Sequence, residues 1–76
     1  MPETVYQLVI QHDLTGESTF GSLHRTLPGA IAKLTARAKE QGGTVVPPGP
    51  DGDRPYATGC GPLADSLWIE NRDLED

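Results

Sequence analysis

One cysteine, six basic residues and four aromatic rings in 76 residues exclude several kinds of chemistry at the outset. A lone thiol, Cys60, rules out an internal disulfide framework, and so few ligands cannot build a structural zinc site. The longest unbroken apolar run, Leu8-Val9-Ile10, is far below the roughly 20 residues that span a bilayer. The N-terminus has no basic segment followed by an apolar one, so no secretory signal is expected. The expectation is a soluble, cytoplasmic protein with no membrane association. Bases are scarce too. Nucleic-acid affinity rests on phosphate contacts from a surplus of Lys and Arg, which argues against nucleic acid as a partner.

What is present is glycine, proline and acid. Nine glycines and seven prolines predict that part of the chain is loop. The formal charge is −5, and it is unevenly spread. Residues 1–50 carry as many acids (Glu3, Asp13, Glu17, Glu40) as bases (Arg25, Lys33, Arg37, Lys39). The excess acid lies in residues 51–76, where only Arg54 and Arg72 oppose it.

Residues 4–13 alternate β-branched or aromatic residues with polar ones, which predicts a strand with Tyr6, Leu8 and Ile10 on its core face. Asp13-Leu14-Thr15-Gly16 supplies a turn. Residues 18–24 return as a second strand, with a bulge or bend at Gly21 expected to reconcile Phe20 and Leu23 as inward residues. Leu27, Ala30, Ile31, Leu34 and Ala38 then form one helical face. Thr26 is a fitting N-cap, Pro28 suits the first turn, and Gly42-Gly43 a stop, so a helix is predicted at about 27–41. Ile31 and Leu34 are expected to be its buried residues.

Residues 42–62 hold six Gly and five Pro. They read as a long loop, with a possible short strand at Thr44-Val45-Val46. Ser66 to Glu70 reads as a closing strand, and 71–76 as a frayed acidic tail. The expected fold is α+β, a small two-layer sandwich and a single domain over 1–76. Its antiparallel sheet has three or four strands, in the order β-β-α-β, with one helix on one face.

Candidate chemistry is sparse. His12 and His24 could lie on neighbouring strands, and Cys60 could meet them through the fold. A metal- or thiol-dependent small enzyme would use these three, yet no spacing identifies a ligand set or a base for the thiol. The glycines match no phosphate-binding fingerprint. No catalytic residue, metal, cofactor or small-molecule substrate is therefore expected. Lys33 and Arg37, four apart on one helix face, form a possible basic patch flanked by Arg25 and Lys39, which as a nucleic-acid surface is the weaker reading.

The stretch from Tyr6 to Asp13, the turn at Gly16 and Leu27-Pro28-Gly29 leading into a helix resemble the small antitoxins of the HicB type over about the first forty residues. In that family a further strand normally separates the two, whereas here the helical pattern begins at Leu27 itself. The resemblance implies an antitoxin-type regulator, one form of partner binding.

The leading expectation is a non-enzymatic protein-binding module: an adaptor, inhibitor or small regulator. It would act through an open sheet face and the acidic C-terminal third. Val5, Val9, Trp68 and Glu70 are the predicted contact residues, and a protein partner or a homodimer is the predicted occupant.

Overall fold

The helix is set by its two ends. The Thr26 hydroxyl accepts a hydrogen bond from the Gly29 N–H at 3.2 Å, filling the N-cap role, and Pro28 follows in the first turn. At the other end Gln41 is the C-cap and Gly42 takes φ +71°. The Gly43 N–H donates to the Ala38 carbonyl and the Gly42 N–H to the Lys39 carbonyl, the paired bonds of a Schellman stop. Arg37 and Lys39 lie in the last turn, where positive charge opposes the helix dipole.

The computed structural model describes residues 3–52 and 54–74. Its elements run β1 (Glu3–His12), β2 (Glu17–His24), α1 (Leu27–Glu40), β3 (Thr44–Val46), β4 (Tyr56–Cys60) and β5 (Asp65–Leu74). All pairings are antiparallel, and the sheet order is β2-β1-β5-β4-β3. The helix therefore carries the chain from one edge of the sheet to the other, across one face. This is an α+β two-layer fold, as the alternation patterns predict. It has five strands, however, in the order β-β-α-β-β-β, where three or four in the order β-β-α-β were expected; β3 and β4 make up the difference.

Three differences follow from that sheet. Residues 42–62 are not one loop, because β3 and β4 both lie within them. The closing strand does not stop at Glu70: β5 continues to Leu74, and Glu3 to Tyr6 pair with Leu74 to Asn71. The segment expected to fray is thus laddered to β1 as far as residue 74. Residues 75 and 76 of the expected tail lie outside the described residues. Third, the buried helix residues are Ala30, Leu34 and Ala38, while Ile31 is half-buried at the margin of the core.

The core lies between α1 and one side of the sheet. Leu8, Ile10, Leu67, Ile69, Ala57 and Cys60 come from the sheet, with Tyr6 and Val45 packed against them. Period-2 alternation assigns these to one face, since Leu8 is in register with Ile69 and Ile10 with Leu67. The bulge expected in β2 is present, because Gly21 and Ser22 together oppose Leu8. Its effect is the reverse of the one expected. Phe20 pairs with Val9 and Leu23 with Gln7, so both point away from the core.

Candidate interaction face

The side of the sheet away from the helix carries Val5, Gln7, Val9 and Gln11 from β1. Cross-strand register extends this face from strand to strand. Val9 lies opposite Phe20 on one flank and Trp68 on the other. The Ala57–Leu67 pairing, carried one residue along antiparallel strands, sets Tyr56 beside Trp68, and Val46 is in register with Tyr56. Phe20, Val9, Trp68, Tyr56 and Val46 thus form one apolar row across all five strands. Leu23 stands three residues further along β2, level with Gln7 because of the bulge.

Exposure separates the roles along that row. Phe20 is 60% exposed, Leu23 55% and Tyr56 44%. Val5 and Val9 also face outward, yet they are only 4% and 3% exposed. Val9 is shielded by the larger side chains on both sides of it. Val5 lies opposite Arg72, whose guanidinium carbon sits 4.7 Å from the centroid of the Phe20 ring on the far side of β1. That cation–π contact draws the long aliphatic stem of Arg72 across β1. Trp68 is half-buried, and its indole N–H donates to the Glu70 carboxylate at 3.1 Å. Of the predicted contact residues, Trp68 and Glu70 are therefore on the surface of this face, while Val5 and Val9 lie beneath it. Phe20, Leu23 and Tyr56 were missed. A regular strand cannot show which way a bulge turns Phe20 and Leu23, and Tyr56 lay in a stretch read as loop.

Charge on this face is nearly balanced. The alternation leaves Glu3, Glu70 and Arg72 on it, and Glu3 is 3.9 Å from the exposed Arg25. At the turn end the Ser66 hydroxyl, on the same face, donates to the Asp13 carboxylate at 2.9 Å, while Glu17 sits at a strand end and Asp51 in the connection between β3 and β4.

The other candidate residues occupy the two ends of the core side. At one end the His12 imidazole meets the Asp65 carboxylate at 2.5 Å, and Asp65 is in register with Cys60. Cys60 is fully buried at the end of β4, not in a flexible turn, and its thiol donates to the Thr58 carbonyl at 3.8 Å. Burial pushes this thiol upward from its ordinary pKa, the Asp65 carboxylate adds to the rise, and Arg37 opposes it. A protonated, enclosed thiol is a poor nucleophile. His24 is at the other end, opposite Tyr6 and bonded to the Ser22 hydroxyl at 2.7 Å. Six residues of β1 separate it from the level of His12, about 20 Å at 3.3 Å per residue. His12 and Cys60 are brought to one end of the sheet, and His24 is not. Among the described residues no group of three His, Cys, Asp or Glu side chains is placed to hold a metal ion. The basic helix residues are also dispersed: Lys33 is exposed, Arg37 is half-buried near Cys60, and Arg25 is beside Glu3.

No helix among the described residues is long and apolar enough to cross a membrane. Comparison with protein-family models, curated proteins and solved structures finds no match to this chain.

Proposed function

We propose that this chain is a non-enzymatic protein-binding module, an adaptor, inhibitor or small regulator, that docks a partner on the open face of its sheet. The observation that carries the reading is the apolar row from Phe20 to Val46 across five strands. Single exposed apolar residues are ordinary on a protein surface, and a connected set is not. A sheet covered on one side normally turns polar side chains outward on the other. Here that rule fails at one level of every strand. The half-buried Trp68 lies at the middle of the row, flanked by Glu70, an arrangement typical of an anchor with a polar rim. The near-neutral charge suits an apolar, uncharged protein surface and not a polyanion.

The test is in-cell photo-crosslinking, with a benzophenone side chain placed at Phe20 and, as a control, at Lys33 on the exposed side of α1. Covalent protein adducts from the Phe20 position, exceeding those from Lys33, are expected. Adducts only from Lys33, only to nucleic acid, or none at all would overturn the reading.

A further inference from the structure

We propose that the occupant of this face is a second copy of the same chain, packed sheet on sheet about a two-fold axis. The inference rests on the docking reading above and narrows it to one partner.

Area is the first argument. Five strands spaced about 4.8 Å apart make a face about 24 Å wide, and the ten-residue β1 and β5 run about 33 Å. The strands are 10, 8, 3, 5 and 10 residues long, so each copy offers about 570 Å². A pair buries about 1,100 Å², less than a standard interface but above the roughly 1,000 Å² a specific one needs. The face is thus large enough for a specific self-association of modest size, and it is the apolar part of the exterior that extends over every strand.

Charge is the second. Two copies of a chain at −5 repel one another at most orientations. The open face carries little of this charge, because Arg72 and Arg25 stand against Glu70, Glu3 and, at the turn end, the Asp13 carboxylate bonded to Ser66. A face of that kind is compatible with itself. An isologous contact then places the same row on both copies, so Phe20, Trp68 and Tyr56 are covered twice by one symmetry operation. Sheets stacked in this way sit about 10 Å apart with their strands within about 30° of parallel.

Edge-to-edge pairing through β2 is the alternative way to join two copies. It would cover Phe20 and Leu23 but leave Tyr56 and Val46, on the far strands, in water. The bulge at Gly21 also twists the β2 edge and interrupts a regular ladder. The row's full width favours the face.

Sedimentation equilibrium of the full chain from low to high micromolar concentration tests this, with Phe20→Lys and Tyr56→Lys beside the wild type. Both residues are exposed, so circular dichroism is expected to show each variant folded. Leu14→Lys, in the turn between β1 and β2 and off this face, is the control. The expected result is a reversible wild-type dimer, unchanged in Leu14→Lys and weakened at least 30-fold by each face variant, the scale of an interface hot spot. A dimer weakened by Phe20→Lys but not by Tyr56→Lys is edge pairing and overturns the proposal. So does a dimer insensitive to both. A wild type that stays monomeric at high micromolar concentration also overturns it. In that case Phe20 adducts to a different protein would leave the docking reading standing, and absence of adducts would remove both.

Discussion

Gly43 shows how closely the end of the helix is set against the sheet. A Cβ there would overlap the Cys60 sulfur and stand 2.9 Å from the Thr58 carbonyl oxygen. The helix stop and the end of β4 can approach this closely only because no side chain intervenes. Gly43→Ala is expected to cost about 1–3 kcal/mol through overpacking. In a Cys60→Ala background that cost should shrink without vanishing, since Thr58 remains. Urea denaturation of the four proteins of the cycle measures the coupling, and strictly additive losses would show that the sulfur is not the obstacle. Cys60 also ties stability to pH. Its folded pKa is raised above the ordinary 9.0, chiefly by burial. Above pH 9 the unfolded chain gives up this proton while the folded chain keeps it, so the unfolded state binds fewer protons and stability falls as pH rises. The loss of stability between pH 8 and pH 10 should therefore be smaller in Cys60→Ala than in the wild type. Equal losses in urea titrations at the two pH values would contradict the buried-thiol account.

The elements differ in how far their residues announce them, and the reasons are physical. The helix is legible because cap, first-turn proline, apolar spacing and glycine stop all agree over 26–43. Even there, periodicity alone could not rank the apolar residues. Leu34 points into the sheet and is fully buried, whereas Ile31 lies at the margin. Leu34→Ala should cost about 2–5 kcal/mol and Ile31→Ala clearly less, read from thermal or urea unfolding. Equal costs would mean the helix is rotated about its axis relative to the arrangement described. β1 is legible from clean alternation. β4 is not: Tyr-Ala-Thr-Gly-Cys has only small residues at its core-facing positions, Ala57 and Cys60, and Gly59 takes φ +67° within it. Such a segment becomes a strand because β5 and β3 flank it, not through its own propensity. The acidic end of β5 was obscured in the same way. Asn71 to Asp73 look like a solvated tail until β1 is placed beside them, where the Thr4 hydroxyl donates to the Asp73 carboxylate at 3.3 Å. The candidate face inherits both effects. Val5, Val9 and Trp68 follow from period 2, while Phe20, Leu23 and Tyr56 depend on a bulge and on a strand that local sequence conceals.

At the scale of the molecule, the central pair of the sheet is the pair furthest apart along the chain. Thr4 and Asp73 are 69 residues apart, and His12 and Asp65 are 53 apart, yet both pairs bridge β1 and β5. Everything between them, the β1–β2 hairpin, the helix crossing and the β3-β4-β5 meander, must be brought round before this ladder can close. Loop-closure entropy makes such a ladder slow to form, because its ordering cost precedes its contacts. The geometry also offers a way to relieve that cost. Glu3 and Leu74 are register partners, so a short linker can join the end of β5 to the start of β1 as a hairpin. New ends can be opened at 49–52, in the glycine- and proline-rich connection between β3 and β4, where no ladder is cut. In that permuted order β4, β5, β1 and β2 become a continuous meander followed by the helix and β3, and every sheet pairing except β3 with β4 is local. The permuted chain should keep the same sheet order and refold about tenfold faster or more in stopped-flow experiments, as expected from its lower contact order. A refolding rate equal to that of the original chain would show that β1–β5 closure does not limit folding. The barrier would then lie in a step both orders share, the docking of α1 on the sheet.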